Sequence, residues 1–311
     1  VTAADKNLSQ ETYDGPTPPV SVVVLTHDEE GNIADCLRSC AWSDDVHVVD
    51  SGSRDRTCAI AGALGAKVHH HPFTSFGAQR NWAIDQVPCR HPWHFHLDAD
   101  ERFTAPLVRE VFERLGPDGR GTSAAAFRVP SRMIFMGQWI RHSSGYPAYQ
   151  VRLFRAGACR FLDFGHGQRE SASGPIETLT CPYVHYGFSK GLVDWLLKHN
   201  AYSDREANEG FAARRHPLHV LPNLWSHDRT VRRRAFKDLS YHLKARSWYR
   251  FIYDYYLRLG LFDGHVGFSY CAMIAMYEHW TELKMRERES DWDARTVALA
   301  QRMMEEDEPS A

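Results

Sequence analysis

Hydrophobic positions along the chain fall into two regimes. Over the first hundred residues, short apolar runs alternate with stretches of helical spacing, the pattern of a parallel sheet with crossover helices. Val20–Leu25, Val46–Val49, Ala66–His71 and Trp93–Leu97 read as strands. Glu29–Cys40 carries Ile33, Cys36, Leu37 and Cys40 on one face and reads as a helix. Arg54–Leu64 reads as a second helix, started by Ser53 as N-cap and ended by Gly65, and Gly77–Asp85 as a third. A further helix runs from Thr104 to Leu115. Beyond it, Ala124–Val129, Arg132–Ile140 and Tyr149–Arg155 predict strands of a mixed extension. From Ser189 the spacing is almost wholly helical, with a break over Pro217–Pro222. The fold class is α/β: a mixed sheet flanked by helices, with a helical C-terminal extension.

Composition narrows the class without choosing a function. A chain of 311 residues, 43% hydrophobic and 24% charged, can bury a sizeable core as an elaborated globular protein. Residues 1–19 are polar, contain Pro16, Pro18 and Pro19 and hold no apolar signal core, so they are expected to form a flexible leader. No uncharged apolar run reaches the roughly 18 to 20 residues of a membrane-spanning helix; the longest is Val266–Tyr277. Seven cysteines at irregular spacings point to thiols in a reducing compartment. Cys36 and Cys40 lie one helical turn apart with no second pair, which makes them small core residues rather than zinc ligands. A net charge of -2 argues against a nucleic-acid partner. Local charge differs: between Trp225 and Gly260 nine basic residues stand against three acidic ones, interleaved with Phe236, Tyr241, Trp248, Tyr249, Phe251, Tyr253, Tyr255 and Tyr256. Basic, aromatic helices suit an anionic membrane surface. The competing reading packs those aromatics onto the rest of the protein and leaves the basic side chains solvated.

The chemistry-bearing residues gather at strand ends. Asp98-Ala99-Asp100-Glu101 closes the apolar run Trp93–Leu97, so two carboxylates stand at the carboxyl end of a buried strand, where an open α/β sheet binds its ligand. Carboxylates so spaced can grip a divalent cation that in turn holds a diphosphate. Thr26-His27-Asp28-Glu29-Glu30 follows the first strand. Asp50-Ser51-Gly52-Ser53-Arg54-Asp55-Arg56-Thr57 follows the second, with a carboxylate, a glycine for close approach and hydroxyls at a helix start. Any one of these segments could be a turn or a cap; three together on neighbouring strands are harder to dismiss.

This set resembles the family 2 glycosyltransferases of the GT-A fold, with His27-Asp28 replacing the usual Arg-Asn before Glu29-Glu30. His71-Pro72-Phe73, Phe76-Gly77-Ala78-Gln79-Arg80-Asn81-Trp82-Ala83 and the stretch from Tyr146 to Arg155 look like the branch related to lipopolysaccharide-core β-1,4-glucosyltransferases. The resemblance covers about residues 20–190. It implies a nucleotide-sugar half over 20–103, an acceptor-side half over 104–187 and a helical region over 188–311. It also implies an inverting, metal-dependent transfer from a nucleotide sugar, UDP-linked by family habit, to a saccharide or lipid-linked saccharide in lipopolysaccharide or exopolysaccharide synthesis. The expected location is cytoplasmic, peripheral on the inner face of the membrane.

The resemblance also assigns roles. Asp50 would accept from the base N–H, while Thr26, Glu29 and Ser51 would line the base and ribose pocket. Arg80 would position the diphosphate or donor sugar. Asp98 would sit by ribose and metal, and Asp100 would coordinate Mg2+ or Mn2+. The general base would lie within Asp163–Glu170: Glu170 first, Asp163 second, with His166 as metal ligand or diphosphate contact. Relatives often carry adjacent His-Glu where this chain has His166-Gly167. Two other readings stand beside this one. One is a nucleotide-binding protein on the same fold without turnover. The other is a binuclear metallohydrolase using His94, His96 and Asp98, which alternate along one strand and so share a face.

Overall fold

The computed structural model describes residues 13–164, 167–215, 221–226, 229–243, 245–290 and 292–306. Four parallel strands, β1 (Val20–Thr26), β2 (Val46–Asp50), β3 (Lys67–His70) and β4 (Trp93–Asp98), lie in the order β3-β2-β1-β4. Every residue of β1 is buried, as a strand covered on both faces requires. Val20, Val22 and Val24 join one core with Ile33, Trp93, Phe95, Leu97 and Leu107; Val23 and Leu25 join another with Val49, Ala83 and Val87. Each such side chain contributes about 1.5–3 kcal/mol when fully buried. The order reverses between β1 and β4, and the crevice at such a switch point is where open α/β sheets bind ligands.

Antiparallel strands extend this half. After β5 (Glu101–Arg102), α4 is preceded in the chain by α1 (Ile33–Ser39), α2 (Thr57–Ala63) and α3 (Phe76–Gln86) and itself spans Ala105–Leu115. It is capped by Thr104, whose hydroxyl accepts from Leu107 N, and buries Leu107, Val108, Val111 and Leu115 along one stripe. The sheet continues through β6 (Ala126–Phe135), β7 (Gln138–Trp139), β8 (Ala148–Arg155), β11 (Ile176–Thr178) and β12 (Tyr183–His185); β9 (Cys159–Phe164) and β10 (Gly167–Ala172) form a separate hairpin. The break expected at Pro130 does not occur. β11 pairs with β6 only as far as Arg128 and the pairing of β12 with β6 starts at Ser131, so proline stands in the gap on that edge, where a missing N–H costs least.

Two helix starts differ from the sequence expectation. α1 begins at Ile33, because Glu29 to Asn32 form a turn closed by Asn32 N–H donating to Glu29 O. α2 begins at Thr57, whose N–H is taken by the Asp55 carboxylate; Ser53 instead joins the loop described below and does not cap.

The helical region comprises α5 (Gly191–Arg215), α6 (Arg229–Ser240), α7 (Arg246–Ile252), α8 (Gly264–Ser290) and α9 (Trp292–Glu306). The chain forms two compact units. One runs to Trp195 and takes in Asp254–Cys271; the other consists of Leu196–Tyr253 and the chain from Ala272. In the second unit Ala207, Tyr241 and Met285 make a small core, with Tyr241 donating to Glu206. All seven cysteines are free thiols, with Cys36 and Cys40 fully buried.

Candidate active site

The loops after β1 and β2 are laced together. Asp28 N–H donates to Ser53 Oγ (2.8 Å), Arg54 N–H to Asp28 Oδ1 (2.7 Å), Glu29 N–H to Thr57 Oγ1 (2.7 Å) and Glu30 N–H to Asp55 Oδ2 (3.0 Å). Asp28 itself adopts φ 51°, the left-handed region that Asp tolerates better than most residues. Asp50 is buried and accepts from Gly52 N (2.9 Å), Ser53 N (3.0 Å) and the Ser53 hydroxyl. Burial works against its charge, yet these donors and Cys58 hold its pKa below the usual carboxylate value. Ser51 N–H donates to Thr26 O, and Ser51 Oγ accepts from Gln79 Nε2 (3.1 Å). Thr26 is paired in register with Asp50; its hydroxyl is buried and has no partner among the described residues. Such an orphan at a strand end suits a ligand. Glu29 accepts from Asn32 Nδ2 (2.7 Å) and Lys190 Nζ (2.8 Å), with burial raising its pKa against both.

Two buried arginines organise the acidic tetrad. Asp98 Oδ1 accepts from Arg80 (2.8 Å) and Oδ2 from Arg152 (2.8 Å). Arg152 also donates to Glu101, whose other oxygen accepts from Asp98 N–H (2.9 Å). Burial opposes the charge on both carboxylates. For Asp98 the two guanidiniums win and its pKa is depressed; for Glu101, wholly buried and beside Asp98, desolvation wins and its pKa is raised. Arg80 spans the site: its Nε donates to Gln168 Oε1 (3.1 Å) and its guanidinium lies over Phe161. It is 2% exposed, so it is no solvated helix arginine.

Asp100 faces His185 of β12, with Nε2 3.4 Å from Oδ2. Burial disfavours the imidazolium, but Asp100 and Glu101 outweigh it and lift the His185 pKa to about 9. His185, Glu101, Arg152, Gln168 and Lys190 received no role from the sequence. Glu101 stood inside the tetrad and Arg152 inside the Tyr146–Arg155 stretch; nothing local marks His185 or Lys190, which arrive from distant strands and loops.

The β9–β10 hairpin holds the candidate bases. Asp163 Oδ2 accepts from Ser75 Oγ (2.7 Å) and Oδ1 from Gly77 N–H (3.1 Å), so both oxygens serve the start of α3. Glu170 is half-buried, its Oε1 3.6 Å from Arg128 Nε. Gln168 and Glu170 are two apart on β10 and share a face, so Glu170 lies on the side from which Gln168 reaches Arg80. His166 lies outside the described residues.

The hydrolase geometry fares differently. His94 and His96 share the Asp98 face but are buried against Phe154, with His96 also facing Phe161. Both ring nitrogens of His96 lack a partner among the described residues, and desolvation lowers the pKa of each histidine. They are core residues, and Arg80 and Arg152 occupy both oxygens of Asp98. In the 225–260 stretch the basic residues divide: Lys237 pairs with Glu206 and Arg246 with Glu278, while Trp225, Phe236, Trp248 and Tyr249 are exposed.

Residues 21–170 match the family described as Glycosyl transferase family 2. The lipopolysaccharide core biosynthesis glycosyltransferase LpsC of Rhizobium meliloti is 26% identical over 212 residues, 65% of this chain and 75% of that protein. An uncharacterized glycosyltransferase of Rickettsia bellii is 34% identical over 96 residues, and the match spans only about a third of its length (32%). Among solved structures, glucosyl-3-phosphoglycerate synthase from Mycobacterium tuberculosis, in complex with Mn2+, UDP-glucose and phosphoglyceric acid, is 17% identical with a TM-score of 0.40, over 58% of this chain and 74% of that one.

Proposed function

We propose, from the premise that residues 21–170 are a family 2 glycosyltransferase domain, that the protein moves a sugar with inversion from a UDP-type nucleotide sugar to a saccharide or lipid-linked saccharide. The pathway we assign is lipopolysaccharide or exopolysaccharide synthesis, at the inner face of the cytoplasmic membrane. The observation that carries the reading is the convergence of Thr26, Asp50, Asp98 and Asp100 at the β1/β4 switch point, between loops tied by their own side chains. Preorganised polar groups of this kind bind a charged ligand without reorganising on its arrival.

Donor and acceptor roles divide between the two edges of the crevice. Thr26, Glu29, Asp50 and Ser51 line the nucleoside side; the Thr26 hydroxyl is the unused group there. Asp98, fixed by two arginines, orients the ribose and donor sugar. The residues fit a divalent cation: Asp100 offers a carboxylate oxygen and His185, on releasing its proton, an imidazole nitrogen 3.4 Å away, and Mg2+ or Mn2+ commonly takes its other ligands from phosphate and water. The imidazole favours Mn2+ of the two. Bound there, the cation would neutralise charge on the leaving diphosphate. Glu170 takes the proton from the acceptor hydroxyl, since Asp163 is committed to α3. The exposed aromatics of residues 225–260 support a membrane-side acceptor.

The test is melting temperature with UDP and UDP-sugars, first with Mn2+ and then with EDTA. A bound ligand raises it by mass action. The expected result is a metal-dependent rise in the wild type that Asp100→Asn abolishes. No shift with any nucleotide would overturn the donor assignment.

A further inference from the structure

Between Asp254 and Phe268, in the first compact unit, the chain displays an unusual surface. Tyr256, Leu257, Leu259, Leu261, Phe262 and Phe268 are all exposed, Leu257 at 72% and Phe262 at 67%. A soluble surface tolerates such residues singly, but six within thirteen positions form a patch that calls for a partner.

The segment is firmly built. Asp263 is buried and accepts from His142 N (2.9 Å), Ser143 N (2.7 Å) and Ser143 Oγ (2.6 Å), while its backbone carbonyl accepts from Gln138 Nε2 (3.0 Å). Gly260 and Gly267 pack so closely that a Cβ on Gly267 would lie 2.3 Å from Gly260 O. The Arg258 guanidinium lies against Gly145 and 3.5 Å from Asp254 Oδ1. Internal polar anchors thus fix the backbone and leave the apolar side chains pointing outward.

Charge identifies the partner. Both acids of the segment, Asp254 and Asp263, are buried, whereas Arg258, paired with Asp254, is partly exposed. The strands and turn that anchor it add exposed Arg141, and no acidic residue occurs anywhere between Asp118 and Asp163. Aliphatic tips with tyrosine beside them and Arg141 and Arg258 nearby match an anionic bilayer, whose interface takes up aromatic rings and whose headgroups attract cations. Among the described residues no single helix is long and apolar enough to cross a membrane, and one pair that meets at this segment, Arg246–Leu257 and Gly260–Ser290, reaches that length and composition only as a bent whole. We infer that residues 256–268 insert into the surface of an anionic membrane; the inference rests on the proposed lipid-linked acceptor only for its purpose.

The experiment is co-sedimentation of the full chain with vesicles of equal phosphatidylcholine and phosphatidylglycerol, and with phosphatidylcholine alone, at low and high salt. Wild type is expected to bind the anionic vesicles, more weakly at high salt. The double variant Leu257→Ser/Phe262→Ser, altered only at exposed positions, is expected to lose about tenfold or more in partitioning. Wild-type partitioning by that variant, or its loss in Trp248→Ser/Tyr249→Ser alone, would overturn the assignment. So would concentration-dependent dimerisation, abolished by the same double variant, without vesicle binding. The melting shift with UDP and Mn2+ is measured on each variant: its absence alongside intact vesicle binding would sink the transfer reading and leave this one standing.

Discussion

Glu170 is the residue on which the proposed chemistry turns. Its carboxylate is half-buried, with Oε1 3.6 Å from the Arg128 guanidinium, on the face of β10 from which Gln168 reaches Arg80. Glu170→Gln keeps the shape and removes the base. The expected outcome is a fall in turnover of about 10²- to 10⁴-fold, with the UDP-dependent melting shift unchanged. An equal loss in Asp163→Asn, with the fold intact, would move the base to that residue. At this scale the sequence was informative wherever function coincides with a strand end: Asp50, Asp98 and Asp100 could be singled out because an apolar run delivers each of them. Arg152 could not, although it meets both Asp98 and Glu101, because its partners lie some fifty positions upstream (54 and 51) and only the antiparallel pairing of β4 with β8 brings them together. His185 was hidden for the same reason.

The start of α3 shows how a helix and a hairpin share one requirement. Ser75 caps the helix by accepting from Ala78 N–H, and Asp163 reaches across from β9 to take Gly77 N–H. A Cβ on Gly77 would stand 2.7 Å from Asp163 Oδ1 and 3.0 Å from Phe161 O. Alanine normally gains up to about 1 kcal/mol over glycine within a helix. Here overpacking, typically about 1–3 kcal/mol, opposes that gain. Because Phe161 O is backbone and cannot swing aside, the clash wins: Gly77→Ala is expected to lower the urea midpoint, and a raised midpoint would show that the hairpin is not held against α3. The same packing explains why the hairpin escaped the sequence reading. β10, Gly-Gln-Arg-Glu-Ser-Ala, has no apolar alternation of its own and is a strand because β9 pairs with it. By contrast α4 was legible to within a residue, since its cap and its apolar stripe are both local.

At the scale of the whole molecule, one face of the sheet carries a row of histidines, His47 on β2, His69 on β3, and His94 and His96 on β4. Desolvation lowers the pKa of all four, that of His94 to about 4. The unfolded chain binds protons at these sites below about pH 6.5, whereas the folded chain resists, so stability must fall as pH drops through that window. For His94, 5% exposed, protonation between pH 6.5 and about 4 costs on the order of 3 kcal/mol. His185 acts in the opposite sense. Its folded pKa of about 9 exceeds the unfolded value, so its contribution is complete below pH 6.5 and disappears as pH rises through 9. The two effects together place maximum stability just above pH 6.5, with a loss on either side. Urea midpoints from pH 5 to pH 9.5 measure this directly. His96→Phe separates the causes, because its ring is enclosed by Phe154 and Phe161 and neither nitrogen has a partner among the described residues. Phenylalanine there should hold or raise stability at pH 7 and flatten the acid limb while leaving the alkaline limb in place. An unchanged acid limb would mean that burial of this histidine row is not what makes the protein sensitive to acid.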